Sequence, residues 1–181
     1  MNNKIILGSF ILNIFLANTL GLLGGLYWHE HEKNTLTAAH QVAVQEVDGM
    51  IRQHVPERGA VERRVYAEMI VAAASEHGLS HKLLASVAII ESRLRSDAIS
   101  HKGAMGVMQI MPRWWVGTVP FVTQRNDLLN PEISIRAGAW VLAHYAELCG
   151  PERMLRCYES GPRAIDTGYT SRVEALLVAS I

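Results

Sequence analysis

The stretch that decides the fold runs from Ser80 to Pro112 and reads SHKLLASVAIIESRLRSDAISHKGAMGVMQIMP. Its first half predicts a helix, Leu83–Leu94, that is apolar on nearly every side, and such a helix is normally buried. Glu91 lies near the end of this helix, on the same stripe as Leu84 and Val87. Burial and the negative end of the helix dipole both disfavour a carboxylate there, so the pKa of Glu91 is expected to be raised. A carboxyl group that keeps its proton near neutral pH is suited to general acid catalysis.

Helix periodicity alone also allows an ordinary helix-end glutamate, turned to solvent or paired with Arg93 or Arg95. The residues that follow favour a role for Glu91 as a general acid. Ser92 comes next, and after a short gap the chain reads GAMGVMQIMP over Gly103–Pro112. The Glu-Ser pair and this segment, in this order and at this separation, resemble the soluble lytic transglycosylases, the SLT or goose-lysozyme-like family.

Three later stretches extend the resemblance, which covers roughly Tyr66–Leu177. Asn130–Gly138 resembles the family's Asn-Pro helix start, although Ser134 stands where Asn is usual. Cys157–Pro162, reading CYESGP, resembles the family's Ala-Tyr-Asn-Ala-Gly-Pro. Gly168–Val173 resembles its closing Tyr-x-x-x-Val.

The resemblance implies cleavage of the β-1,4 bond between N-acetylmuramic acid and N-acetylglucosamine in peptidoglycan, with no cofactor and no metal. It implies that Glu91 is the single acid and base, which protonates the leaving oxygen and then accepts the proton of the muramic 6-hydroxyl as a 1,6-anhydro ring closes. Tyr158 is expected to hydrogen-bond Glu91 and orient it. Tyr169 is expected to wall the cleft, and Ser92 to secure the helix end or the cleft wall. The predicted substrate-binding residues are Ser92, Ser100, Gln109, Met111 and Tyr169.

Glu159 departs from the family pattern, which has Asn at this position. Ordinary glycosidases use two carboxylates, about 5–9 Å apart. Because successive residues on a helix or turn diverge, we expect Glu159 to face solvent. If it pointed into the cleft it would raise the pKa of Glu91 further or supply a second carboxylate. The product, anhydro sugar or ordinary hydrolysis, therefore stays open.

Periodic apolar positions predict several further helices, so the domain is expected to be all-α and lysozyme-like, with at most a small β element. Ser80 is the predicted N-cap of the Glu91 helix, and Asn130-Pro131 the predicted start of a long one. The helices are predicted over residues 35–55, 61–77, 132–148, 152–158 and 170–179. The residues of the Gly103–Pro112 segment expected in the core are Met105, Val107, Met108 and Ile110.

Residues 5–28 form an uncharged, weakly polar run, long enough to cross a bilayer, which takes roughly 20 helical residues. Lys4 and the amino terminus precede it, so the positive-inside rule predicts a cytoplasmic tip over residues 1–4. We expect residues 5–28 to be an uncleaved inner-membrane anchor, with the rest of the chain in the periplasm. A cleaved signal peptide is the competing interpretation.

Residues 29–59 are interpreted as a helical stalk or linker, because the apolar stripe over residues 35–55 is thin. This helix would hold the domain off the membrane or associate with a second copy. Pro56–Gly59 is the predicted boundary. The catalytic domain is then expected over residues 60–181.

Composition narrows the function classes. The formal net charge is zero over 181 residues and no basic stripe occurs, so nucleic acid is not an expected partner. No spacing typical of metal ligands is present. The two cysteines, Cys149 and Cys157, fit either free core thiols or a bridge formed in an oxidising compartment.

The leading hypothesis is a membrane-anchored, exported peptidoglycan lytic transglycosylase. By analogy with small specialised family members, it would open the wall locally for secretion, conjugation or phage machinery, whose assembly proteins would be its partners. One rival is a muramidase of the same fold that uses water. A second rival is a glycan-binding or assembly module that no longer cuts, but the retention of both Glu91 and Tyr158 argues against it.

Overall fold

A computed structural model of the chain describes residues 35–163 and 165–179. The chain divides into two units, Met1–Gln41 and Val42–Ile181. In the first unit, the described residues 35–41 are helical. The predicted cytoplasmic tip and anchor, residues 1–4 and 5–28, lie outside the described residues. Among the helices that are described, none is both long and apolar enough to cross a bilayer.

The described residues are mostly helical and contain no strand, which confirms the all-α prediction for this part of the chain. Besides the helix over residues 35–54 (α1), the α-helices are α2 (Ala60–Glu76), α3 (His81–Ser92), α4 (Pro112–Trp115), α5 (Pro131–Cys149), α6 (Met154–Ser160) and α7 (Tyr169–Val178). Two 3-10 helices cover Arg125–Leu129 and Pro151–Arg153. Within the described ranges the β content is limited to isolated bridges that pair Ile99 with Met105, Met105 with Ile110, and Val116 with Val119.

Both predicted helix starts are confirmed. Ser80 Oγ accepts the backbone N–H of Leu83 at 3.4 Å, and Asn130 Oδ1 accepts that of Ile133 at 3.2 Å. Each bond satisfies one of the N–H groups that the first turn of a helix leaves unpaired. These caps fix where α3 and α5 begin, and therefore which residues of α3 reach its far end.

The C-terminal end of α3 turns sharply. Arg93 and Leu94 both adopt left-handed backbone conformations, with φ of 54° and 62°. This conformation is uncommon for residues other than glycine. It directs the Leu94 side chain, which is fully buried, into the core. The helix therefore ends at Ser92, two residues before the predicted end, and Glu91 lies in its last turn.

The core forms around α3, as the apolar sequence of that helix predicts. α3 packs against α2 and α7, while α5 packs against α2 and α6. The buried apolar residues of α3 are Leu84, Ala85, Val87, Ala88 and Ile89. The four residues of the Gly103–Pro112 segment that were expected in the core are all buried: Met105, Val107, Met108 and Ile110.

Part of the segment interpreted as a stalk lies in the second, compact unit. From Val42 onward, the chain belongs to the compact unit, so this unit begins well before the predicted boundary at residue 60. The predicted stripe is buried only in its later part, at Val47, Met50 and Ile51, whereas Leu36 is 65% exposed. The fully buried residues of this segment are Val44, Val47, Ile51 and Val55. Two ion pairs also tie this segment to neighbouring helices, Glu46 with Lys82 at 2.9 Å and Asp48 with Arg63 at 3.3 Å.

The two cysteines are joined. A disulfide links Cys149, the last residue of α5, to Cys157 in α6, with the Cα atoms 6.8 Å apart and a sequence separation of 8. It closes the loop that contains the 3-10 helix Pro151–Arg153. The bond therefore fixes α6 against the end of α5, directly beside Tyr158 and Glu159.

Replacing both cysteines with serine is expected to lower the free energy of unfolding by about 2–3 kcal/mol. A cross-link that closes a loop of this length removes about that much chain entropy from the unfolded state. Urea denaturation of the double variant, Cys149→Ser with Cys157→Ser, measures the loss. Wild-type protein treated with a reductant is the control and should match the variant. Unfolding midpoints that coincide in the oxidised and reduced wild type would contradict the prediction.

Candidate active site

Glu91 is the centre of the site. Its side chain is partly buried in the last turn of α3, and its Oε1 atom accepts a hydrogen bond of 2.7 Å from the Tyr169 hydroxyl. Burial raises the pKa of Glu91 to about 7, against the opposing effect of that hydrogen bond. The charge of Glu159 raises this pKa further, and that of Arg172 lowers it. The predicted rise is confirmed, and near neutral pH both protonation states of Glu91 are accessible.

The tyrosine that bonds Glu91 is not the predicted one. The Tyr158 hydroxyl donates instead to the backbone carbonyl of Met108, at 2.8 Å. Tyr169 was expected to wall the cleft and bind substrate. It is the first residue of α7, which packs against α3, and this packing brings its hydroxyl to Glu91. Tyr158 still lies near Glu91. Burial raises the pKa of its phenol, and the charge of Glu91 raises it further. The prediction that Tyr158 orients Glu91 through a direct bond is therefore wrong.

Replacing Tyr169 with phenylalanine is expected to raise the pKa of Glu91 above its value of about 7. The lost hydrogen bond stabilises the carboxylate, so its removal favours the protonated form. Tyr158→Phe is the matched control and should leave this pKa nearly unchanged, since its hydroxyl bonds Met108. Carbon-13 NMR titration of the glutamate carboxyl carbons measures both variants. A larger shift in Tyr158→Phe than in Tyr169→Phe would reverse the assignment.

Ser92 is a structural residue. Its hydroxyl is buried and donates to the Val107 carbonyl at 2.8 Å, so it joins the end of α3 to the Gly103–Pro112 segment. The prediction that Ser92 secures the helix end is confirmed. The residue is only 4% exposed, so its predicted contact with substrate is not supported.

The Gly103–Pro112 segment is held against α5 and the chain before it by very close contacts. Gly106 has φ of +75°, and a Cβ atom on it would lie 1.8 Å from the Leu128 carbonyl oxygen and 2.7 Å from Ser134 Oγ. Ser134 is fully buried, and its hydroxyl accepts the Met108 N–H at 3.2 Å. Ser134, which stands where the family pattern has Asn, thus bonds this segment through its hydroxyl. A Cβ on Gly138 would come within 2.5 Å of the Met108 side chain.

Gln109 and Ser100 both stabilise the loop and keep unused polar capacity. The Gln109 amide nitrogen donates to the carbonyls of Ala98, at 3.2 Å, and Gly106, at 2.9 Å. Its amide oxygen remains an acceptor. Ser100 Oγ accepts the Ala104 N–H at 3.0 Å, and its hydroxyl can still donate.

Met111 lies at the start of α4, and its side chain is partly buried. Its carbonyl accepts the backbone N–H groups of Trp114 and Trp115. Of these tryptophans, Trp114 is 62% exposed, whereas Trp115 packs edge-on against Trp140 with ring centroids 6.0 Å apart. The predicted contact of Met111 with a sugar face stays a prediction.

Glu159 is an exposed residue, as predicted, but its carboxylate also has partners within the protein. Its side chain is 25% exposed, and one oxygen accepts a hydrogen bond from the Thr167 hydroxyl. The other oxygen lies 3.8 Å from the Arg172 guanidinium. Its negative charge contributes to raising the pKa of both Glu91 and Tyr169. The partners of Glu159 come from α7 and the loop before it, which sequence reasoning about α6 alone could not identify.

An open cavity of about 410 Å³ is bordered by Arg172, but Glu91 is not among its lining residues. Its lining residues are His54, Ile89, Ile90, Arg93, Arg172 and Leu176. Over the residues that the structure describes, no cluster of three or more His, Cys, Asp or Glu side chains could hold a metal ion.

Comparisons with known proteins concern the family and the fold of the chain. Residues 68–174 match the family model described as the transglycosylase SLT domain. The fold is similar to that of the lytic transglycosylase Slt from Pseudomonas aeruginosa, solved as an inactive glutamate-to-glutamine mutant, with a TM-score of 0.56 and 22% sequence identity. The match covers 62% of this chain and 23% of the Pseudomonas chain, so the protein spans about a quarter of that relative's length. No curated protein sequence matches the chain.

Proposed function

The chain belongs to the transglycosylase SLT domain family, and on that premise we propose that it is a peptidoglycan lytic transglycosylase with Glu91 as its single acid and base. The bond cleaved would be the β-1,4 linkage between N-acetylmuramic acid and N-acetylglucosamine. The observation that carries the proposal is a partly buried carboxyl group with a pKa of about 7, hydrogen-bonded to Tyr169 at the end of a buried helix.

In the first half of the reaction, protonated Glu91 donates its proton to the bridging oxygen as the glycosidic bond breaks. The substrate's own N-acetyl group stabilises the positive charge that develops at the anomeric carbon. The Tyr169 hydroxyl then stabilises the carboxylate that Glu91 has become. A pKa close to the working pH allows the same group to act as acid and then as base.

In the second half, the Glu91 carboxylate accepts the proton of the muramic 6-hydroxyl as that oxygen attacks the anomeric carbon. The 1,6-anhydro ring closes and Glu91 is protonated again, so no water is consumed. An attack within one sugar ring has a large proximity advantage, with effective molarities of about 10⁵–10⁸ M for well-oriented cases. A second catalytic carboxylate is therefore not required.

The rival function, hydrolysis by water, would need Glu159 as the second carboxylate. Both of its oxygens have partners, Thr167 on one side and Arg172 on the other. A carboxylate engaged in this way is poorly placed to activate water, and this favours the anhydro product.

Export to the cell envelope is part of the proposal. Disulfides persist in oxidising compartments, and the Cys149–Cys157 bond fits a domain that works outside the cytoplasm. We therefore propose that the domain acts in the periplasm, tethered to the inner membrane by residues 5–28. Local opening of the wall for a secretion, conjugation or phage machine remains the role that the family resemblance favours.

The test is mass analysis of the muropeptides that the full chain, purified in detergent, releases from isolated cell wall. The expected products are anhydro muropeptides, one water lighter than hydrolysis products. Heavier products would identify a muramidase. Equal release by the wild type and Glu91→Gln would reject Glu91 as the acid, and binding without any release would indicate a glycan-binding module.

A further inference from the structure

We propose that Glu159 is a positioning residue for the acid, because its ion pair with Arg172 keeps the guanidinium from pairing with the Glu91 carboxyl group. The inference rests on the proposed function, since it concerns how the same site keeps its acid usable. It also assigns a role to the residue by which this chain departs from the family pattern.

The geometry links Glu91 to Glu159 through two side chains of α7. Tyr169 and Arg172 are three residues apart and so lie on neighbouring positions of one helix face. The Tyr169 hydroxyl bonds Glu91 at 2.7 Å, and the Arg172 guanidinium carbon lies 5.7 Å from the centre of the Tyr169 ring. Arg172 also lies 3.8 Å from Glu159. The Arg172 guanidinium thus contacts Glu159 of α6, and its charge acts on Glu91 of α3.

Arg172 has room to move between these two groups. Its side chain is 58% exposed, and it borders the cavity of about 410 Å³ beside Ile89 and Ile90. The other guanidinium on that cavity, Arg93, is engaged by three hydrogen bonds to the Glu57 carboxylate, at 2.9, 3.0 and 3.2 Å. Arg172 is therefore the cation on this side of the site that could move to Glu91.

Glu159 is better fixed than its partner. The Thr167 hydroxyl holds one of its oxygens, and its side chain is 25% exposed. A fixed carboxylate can hold a mobile guanidinium in place, whereas the neutral asparagine of the family pattern would offer it no charge. Glu159 and Arg172 thus act as a matched pair in this chain.

The charges that face Glu91 oppose one another. Glu159 raises the pKa of Glu91, whereas Arg172 lowers it and Tyr169 lowers it through its hydrogen bond. The nearby Tyr158 hydroxyl donates to the Met108 carbonyl instead. If Arg172 were released from Glu159, it would stabilise the Glu91 carboxylate at close range. Glu91 would then lose its proton at a lower pH. The site would lack the acid needed for the first half of the reaction.

The test is a double-mutant cycle read by carbon-13 NMR titration of the Glu91 carboxyl carbon. Glu159→Gln should lower the pKa of Glu91, and Arg172→Met should raise it. Combined with Arg172→Met, Glu159→Gln should have a much smaller effect, because most of it depends on the freed guanidinium. Glu174→Gln is the control. It removes an exposed carboxylate from the same helix, α7, and should leave the titration of Glu91 unchanged.

Activity gives a second measurement. With Glu159→Gln, the high-pH limb of the kcat/KM profile should move to lower pH, so that release at pH 8 falls roughly three- to tenfold while release at pH 5 is retained. Equal pKa shifts from Glu159→Gln with and without Arg172 would overturn the inference, as would no shift in either background. A wild type that releases no muropeptides would instead reject the proposed function, and the titration would still decide the role of Glu159.

Discussion

Glu91→Gln is expected to lower muropeptide release by about 10²–10⁴-fold, the contribution typical of a positioned general acid. Glutamine keeps the size of the side chain and an oxygen that can accept the Tyr169 hydrogen bond, but its amide has no acidic proton to donate. The measurement is the initial rate of release at pH 6, where most wild-type Glu91 is protonated. Residual release within a few-fold of wild type would assign the acid to another residue.

The same substitution should stabilise the protein above neutral pH. The pKa of Glu91 in the folded state, about 7, lies above its ordinary value of 4.5. Between these values the folded protein holds a proton that the unfolded chain releases, so wild-type stability falls as the pH rises through this window. The full loss is on the order of 3 kcal/mol. Glu91→Gln avoids it, so the variant should be the more stable protein at pH 8 and should lose that advantage at pH 4.

Urea denaturation at pH 4 and pH 8 measures this difference. Glu174→Gln replaces an exposed glutamate of α7 and is the matched control. It should change the free energy of unfolding little at either pH. A variant that is inactive and less stable than wild type at pH 8 would show that Glu91 is held by more contacts than the Tyr169 hydrogen bond.

Gly106→Ala is expected to cost about 4 kcal/mol or more in the free energy of unfolding. The new Cβ would lie 1.8 Å from the Leu128 carbonyl oxygen, and because that atom belongs to the backbone no side-chain rotation relieves the overlap. The positive φ of +75° adds a conformational cost for any residue with a Cβ. The segment that carries Gln109 would have to move away from Leu128 and Ser134.

Gly103→Ala separates these two causes. Gly103 also has a positive φ, +87°, but a Cβ there would meet nothing within 4 Å. Its replacement should therefore cost only the conformational part, about 1–2 kcal/mol. Equal losses in the two variants, measured by urea denaturation, would mean that the contact at Leu128 is relieved by movement of the loop.

Features that depend on local sequence were predictable. The burial of α3, its cap at Ser80 and the raised pKa of Glu91 all follow from neighbours within a few residues along one helix. These interactions were predictable because the residues that cause them are close in sequence.

Features that depend on distant packing were not predictable. Whether Tyr158 or Tyr169 reaches Glu91 is decided by how α6 and α7 lie against α3, and Tyr169 is separated from Glu91 by 78 positions. The pairing of Glu159 with Arg172 and Thr167 depends on the same arrangement. The thin stripe of α1 was also ambiguous, because spacing shows that a face is apolar but not which surface covers it.

The burial of α1 changes what counts as the catalytic fragment. The family model matches residues 68–174, yet a recombinant protein that starts near residue 60 would lack Val44, Val47, Ile51 and Val55, all of them fully buried. Burying one such side chain contributes about 1.5–3 kcal/mol, so the four together rival the whole net stability of a typical domain. A soluble version of the enzyme made for crystallisation or assays should therefore begin at or before Val42.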